Sequence, residues 1–236
     1  MKYRNIVHGK FHSRPNRFIA KVWIQKEEVT QLGNTENRED YVLETVHVKN
    51  TGRCKELLLP DAEVILEVSD NPNRKTKYDL IGVYKEGLGW VNIDSQAPNK
   101  VVKEWLEKQH YTCIKPEYTY GDSRIDFYME KEDEKYLMEV KGCTLEIDGI
   151  GYFPDAPTER GVKHLRELTK AVSKGYICYA AFVIQMEGVN EVRANVTTHK
   201  EFGEALKVAK AAGVKVLCLG CKVTEDTLEI ERELEL

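Results

Sequence analysis

The chain has 236 residues, 42% of them hydrophobic, enough to bury one large core or two modest ones. No apolar run approaches the ~18 residues that a membrane helix needs, and Lys2, Arg4 and His8 lead into no hydrophobic stretch. Neither a membrane span nor a signal peptide is therefore expected, and the protein is expected in the cytoplasm. The net charge of −4 is unevenly spread: the first 26 residues hold seven Lys and Arg and no acid, whereas the last twelve hold six acids against Arg232. A basic front and an acidic tail suit a phosphate-binding protein whose sign is local.

Residues 1–95 read as a first domain of short β-rich runs at Phe18 to Ile24, Tyr41 to Val48, Val64 to Val68, Tyr78 to Tyr84 and Gly89 to Ile93. Turn chemistry at Gly33-Asn34, Asn50-Thr51-Gly52 and Pro72-Asn73 separates them. Five strands without a helix predict a small barrel of the OB type, whose strand face and loops commonly grip oligonucleotides. Two loops look suited to phosphate: Asn71 to Lys77, carrying Arg74, Lys75 and Lys77, and Asn50 to Arg53, where glycine lets backbone N–H groups approach an anion and Arg forks onto it. With Arg17, these are the candidate nucleic-acid contacts of the first domain; plain hairpin connection is the alternative.

A boundary falls near Ser95-Gln96-Ala97-Pro98-Asn99, and residues 96–236 read as a second domain. Its expected order is helix 98–110, strands 112–120, 124–130 and 135–141, helix 158–174, strand 176–185, helix 198–212, strand 214–219 and a variable tail. Helices interleaved with strands make this half α/β. The six cysteines lie mostly in apolar runs, as at Cys113, Cys178 and Cys218, where a reduced thiol acts as a small hydrophobe. Cys218 and Cys221 form a lone C-x-x-C, which leaves zinc or redox chemistry open but points to no second ligand pair.

The chemistry concentrates between Ser123 and Lys141. Arg124 to Met129 alternates with a period of two, so Asp126 faces away from Ile125 and Phe127. After a charged turn, Tyr136 to Lys141 forms a second run in which Glu139 and Lys141 share a face. Charges inside apolar strands cost several kcal/mol each unless paired or bound to metal, so the arrangement asks for a chemical reason. An Asp followed by Glu-x-Lys on a neighbouring strand resembles the PD-(D/E)xK nuclease signature, with Ile125 in place of its proline. A solvated hairpin face is the bland alternative.

The sequences around Ser123-Arg124-Ile125-Asp126-Phe127, Glu139-Val140-Lys141 and Gly151 to Leu168, with Asn50 to Arg53, Leu57 to Pro60 and Asn71 to Tyr78, together resemble the sugar fermentation stimulation protein A (SfsA) family across nearly the whole chain. The resemblance implies an OB-type barrel joined to a PD-(D/E)xK-like mixed-sheet domain, and an association with DNA. It implies catalytic roles for Asp126, Glu139 and Lys141, and Mg²⁺ or Mn²⁺ held by both carboxylates and the Val140 carbonyl. Glu117 is an additional candidate ligand. Arg160 and His164, at the start of the helix after Pro157, are candidates for phosphate contact or proton transfer.

The expected function is DNA binding with Mg²⁺-dependent phosphodiester hydrolysis of little sequence specificity. The alternative is a non-catalytic DNA-binding regulator of sugar (maltose) metabolism, and oligosaccharide binding by the barrel is a third. Oligomeric state is left open, a homodimer being one option.

Overall fold

The structure is a computed structural model that describes residues 1–26, 40–50 and 52–234. The chain divides into two units: Lys2–Ser95 with Val223–Thr227, and Met1 with Gln96–Lys222 and Leu228–Leu236. The anticipated turn at Gly33-Asn34 lies outside the described residues.

In the first unit, β1 (Ile6–Asn16), β2 (Ile19–Gln25), β3 (Tyr41–Val48), β4 (Glu63–Val68) and β5 (Tyr78–Lys85) pair in the order β3-β2-β1-β4-β5. A parallel contact of His47 with Asp79 and Val48 with Leu80 joins β3 to β5 and closes the ring. The result is a five-stranded OB barrel. Ala20, Val22 and Ile24 alternate inward along β2 to meet Val46, Val64, Leu66 and Leu80, each such side chain contributing about 1.5–3 kcal/mol on full burial. Gly9 is required at the β1–β2 contact, because a Cβ there would lie 2.5 Å from Val22 Cγ1 and 2.9 Å from the Trp23 carbonyl oxygen.

The barrel corrects two expectations. Its first strand is β1, which the sequence reading passed over, and the run at Gly89 forms β6 (Gly89–Asn92), a hairpin arm on β5 rather than a fifth barrel strand. The basic N-terminal residues are therefore partly strand. Only Phe11 of β1 is fully buried, so the period of two was hidden by Gly9, six polar residues and Pro15.

The second unit begins with α1 (Ala97–Leu106) and continues through β7 (Cys113–Tyr120), β8 (Ser123–Lys131), β9 (Glu134–Cys143), β10 (Leu145–Ile147), β11 (Ile150–Phe153), α2 (Glu159–Val172), β12 (Ile177–Ile184), β13 (Val192–Ala194), α3 (Lys200–Ala211), β14 (Lys215–Val223) and β15 (Leu228–Leu234). The main sheet has the order β15-β14-β12-β9-β8-β7, parallel through β14, β12 and β9 and antiparallel through β9, β8 and β7. A small sheet, β10-β11-β13, stands apart from it in pairing.

The α/β expectation holds, with three corrections of detail. The first helix stops at Leu106, short of His110, whose φ of 60° is left-handed. The short strands β10, β11 and β13 were not anticipated. The acidic tail is not variable over its described part: Leu228 to Leu234 is the edge strand β15, its acids blunting an otherwise sticky edge.

Helix α2 is set by local chemistry. Thr158 Oγ1 accepts the Gly161 N–H at 3.1 Å as an N-cap, and Val162, His164, Leu165, Leu168 and Ala171 recur at helical spacing on the buried face. That spacing carries His164 inward.

Candidate functional site

Strands β8 and β9 pair from Lys131 with Glu134 as far as Phe127 with Met138, and there their ladder ends. β9 runs on to Cys143 against β12 alone. Its Val140 N–H turns to a side chain on β8 and donates to Asp126 Oδ2 at 2.7 Å. Asn99, in the first turns of α1, donates from Nδ2 to Asp126 Oδ1 at 2.8 Å. The Asp126 carboxylate is thus fixed by a backbone and a helix donor where the strands part.

Glu139 is 2% exposed. Its Oε1 accepts from Lys141 Nζ and from His164 Nδ1. Arg160 Nε lies 3.4 Å from His164 Nε2, which assigns the proton to Nδ1 and makes His164 the donor to Glu139. Glu139 Oε2 is buried and has no hydrogen-bond partner. Leaving a buried charged acceptor unanswered costs about 1–3 kcal/mol or more.

The two carboxylates respond differently to this setting. Burial and the neighbouring Glu139 charge push the Asp126 carboxyl above its ordinary range, against the lowering effects of Lys141, the Val140 N–H and Asn99. Burial also acts to raise Glu139, but Lys141 and His164 outweigh it and the net shift is downward. Gly142 follows this pair. A Cβ there would run into Gln185 Oε1 and Pro98 Cγ, so only glycine lets β9 pass beneath them.

The expected residues Asp126, Glu139 and Lys141 come together, with Val140 between the last two. Glu117 does not join them: its backbone is left-handed, with φ of 55°, and its half-exposed carboxylate pairs with Arg124 at 2.9 Å. Asn99 was missed, and its place directly after Pro98, at the start of a helix, was the available signal. His164 was named for phosphate or proton transfer; it is buried and spent on Glu139.

The donor set suits a hard cation. Asp126 and Glu139 offer oxygens, one of them orphaned, and the Val140 carbonyl is the third donor that the sequence resemblance implies. Among the described residues no group of three or more His, Cys, Asp and Glu is placed to hold a metal ion by itself, so water and a substrate phosphate would complete such a shell. Cys218 and Cys221 are both buried free thiols, and burial pushes them up to about 11 and about 12, which disfavours the thiolates that zinc requires.

In the barrel, the anticipated nucleic-acid residues separate into two groups. Arg17, Arg53, Lys75 and Lys77 are exposed, as is Arg160 in the second unit. Arg74 instead forks onto Asp79, at 2.6 and 2.9 Å. Asn50 is buried, donating to the Ile93 carbonyl and accepting the Gly52 N–H at 2.7 Å. Arg14, which no motif in the sequence singles out, has a structural part here. Its guanidinium donates to the carbonyls of Arg17, Asn50, Gly52 and Arg53, drawing two basic turns together.

Comparison with known proteins gives a consistent picture. The family model described as the SfsA N-terminal OB domain matches residues 13–93, and that described as the sugar fermentation stimulation protein RE domain matches residues 96–227. The chain is 53% identical over 232 residues to the sugar fermentation stimulation protein homolog of Desulfitobacterium hafniense (strain DSM 10664 / DCB-2), covering 97% of this chain and 95% of that one. It is 53% identical to the homolog of Clostridium beijerinckii over 234 residues, covering 98% and 96%. The solved structure of Pyrococcus furiosus SfsA in complex with Ca²⁺ superposes with a TM-score of 0.82 at 26% identity, covering 100% of this chain and 97% of that one.

Proposed function

The chain belongs to the sugar fermentation stimulation protein A family, and on that premise we propose that it binds DNA and hydrolyses its phosphodiester bonds with a divalent cation held between Asp126 and Glu139. The observation that carries this reading is the buried, unpartnered Glu139 Oε2 on the same strand face as Lys141 and beside the fixed Asp126 carboxylate. The Ca²⁺ complex of the archaeal relative supports a divalent cation, since Ca²⁺, Mg²⁺ and Mn²⁺ all choose oxygen ligands.

When bound, such a cation stabilises phosphoryl charge and makes water a better nucleophile near neutral pH. The protein's own part is positioning. Asn99 and the Val140 N–H aim Asp126, and His164, backed by Arg160, holds Glu139 Oε1 so that Oε2 points free. Lys141 stands where its ammonium can donate to the attacking water or to a phosphate oxygen. In the reaction, the water oxygen forms the new P–O bond, and the ester oxygen leaves with a proton.

A second reading, a DNA-binding protein without catalysis, is favoured by two specific observations: Lys141 is spent on Glu139, and Glu117 faces Arg124. Purified protein incubated with plasmid and with single-stranded DNA, in Mg²⁺, Mn²⁺ or EDTA, separates the two. Cleavage in either metal that EDTA abolishes and Asp126→Asn removes is the expected result; binding without cleavage in every buffer supports the second reading.

A further inference from the structure

The hold on Glu139 depends on where α2 starts. Thr158 Oγ1 caps the helix, but the N–H of Thr158 itself lies outside the helical ladder and donates to His199 Nδ1 at 3.2 Å. His199 is the N-cap of α3 and is only 7% exposed. Because Nδ1 accepts, the ring proton is on Nε2, which lies 3.3 Å from Glu159 Oε1 and 3.4 Å from Glu201 Oε2.

The ring is itself fixed. The His199 N–H donates to the Asn195 carbonyl at 2.9 Å, and the Asn195 N–H donates to the Phe153 carbonyl, at the end of β11, at 2.7 Å. The segment that leads into α2 is therefore tied at both ends, Phe153 and Thr158, to the one turn 195–199. Just beyond, Gly161 lies against α3, where a Cβ would be 3.3 Å from Phe202 Cε2.

The two sides of the ring are unequal. Glu159 and Glu201 are mostly exposed, and such pairs contribute little. The Thr158 bond is part-buried, and a donor left unanswered there costs more than the bond's net worth. Val162, Leu165, Leu168 and Ala171 hold α2 to its neighbours, but apolar contact is non-directional, so a small tilt about the helix start is left to polar contacts. His164 lies about 9 Å along the axis from Thr158, so a tilt of about 10° would carry its ring by roughly 1.5 Å, enough to break its bond to Glu139 Oε1.

We propose that His199 is a positioning residue for the Glu139 site. By accepting the Thr158 N–H through Nδ1, it sets α2 so that His164 occupies Glu139 Oε1 and leaves Oε2 to the cation. The inference rests on the reading of Glu139 as a cation ligand.

Two amide side chains that mimic opposite halves of the ring make the test. In His199→Asn the amide oxygen takes the place of Nδ1 and accepts the Thr158 N–H, whereas in His199→Gln the amide group takes the place of Nε2 and that bond is lost. Two measurements are made on the full chain: calorimetric titration of Ca²⁺, and the NMR signal of the His164 Nδ1 proton in EDTA, which needs neither metal nor substrate. His199→Asn should bind Ca²⁺ within about threefold of wild type, and His199→Gln and His199→Ala about tenfold more weakly, the scale of losing an outer-shell partner. The His164 signal should persist in His199→Asn and be lost to solvent exchange in the other two. Melting curves in EDTA accompany each variant, and if His199→Ala fails to fold, the contrast of Asn with Gln carries the test.

Wild-type affinity with an intact His164 signal in His199→Gln would overturn the proposal, as would a His199→Asn protein that behaves like His199→Gln. A wild type that binds no Ca²⁺ while the His164 signal still separates Asn from Gln leaves His199 as the residue that positions His164 and ends the cation reading of Glu139. A wild type that binds Ca²⁺ with all three variants alike does the reverse.

Discussion

In the barrel, Lys49 sits among Glu67, Asp79 and Asp94 at 3.3–3.5 Å, while Arg74 and His47 also contact Asp79. In the second unit, Asp126, Glu139, Lys141 and His164 gather in a comparable density of charge. Both clusters are taken out of water, and burial alone would mark either as a site. They differ in completion: each acid in the barrel cluster meets a cation and no buried oxygen of theirs lacks a partner, whereas Glu139 Oε2 is left unanswered. The barrel cluster ties β3, β4 and β5 together; the second is built as though something were still to arrive. A closed network is a structural statement, and an open one is a chemical statement.

The sharpest way to break this contrast is to remove one acid from the closed network. Asp79→Ala leaves Arg74, Lys49 and His47 facing a gap and should destabilise the protein by about 3–5 kcal/mol, read by denaturant unfolding, with divalent-cation binding unchanged. A variant as stable as wild type would mean that the barrel network is not structural.

Next comes Lys141→Ala, at the open cluster. Cleavage should fall by roughly 10²-fold or more, the scale of one transition-state electrostatic contact, while melting in divalent cation changes little. A large melting drop both in cation and in EDTA, with no cleavage by wild type, would make Lys141 a structural counter-ion like Lys49 and erase the contrast. A smaller effect belongs to Asn99→Ala. It should weaken divalent-cation affinity about tenfold, as outer-shell partners do, measured by calorimetry beside an unaltered melting curve. Unchanged affinity would show that the Val140 N–H alone aims Asp126.

The mildest test is pH. Burial works to raise the Asp79 carboxyl, but Arg74, His47 and Lys49 outweigh it and bring it down to about 2. Its folded value lies below the unfolded one, so its stabilisation is complete above the ordinary carboxylate range and is lost as pH falls toward 2. The acid limb of wild-type unfolding should therefore flatten in Asp79→Asn, and an identical limb in both proteins would contradict the assignment.

Much of this was legible in the sequence, and the reasons for the remainder are physical. Asp126, Glu139 and Lys141 could be found because alternation in two strands put charges where only pairing or metal makes them tolerable. The α/β order was legible because its longer elements are strongly periodic. β1 was not, since a barrel strand that buries only Phe11 shows no period. β15 was hard to see although Leu228, Ile230 and Leu234 alternate with charged residues, because an edge strand that buries only Leu228 is dominated by its charges. The fate of a cation is the hardest to read: Arg74 and Arg53 look alike in sequence, yet one is committed to Asp79 five residues on and the other is exposed. His164 shows the same limit, since only the helix face decides whether it meets solvent or Glu139.

The central claim, that Asp126 and Glu139 form an open site awaiting a cation, is tested most directly by isothermal titration of Ca²⁺ and of Mg²⁺ into wild type, Asp126→Asn and Glu139→Gln, each verified as folded. The account predicts one saturable site in wild type that both substitutions abolish or weaken by at least tenfold. Binding of wild-type strength in both variants, or no binding by folded wild type, would contradict it.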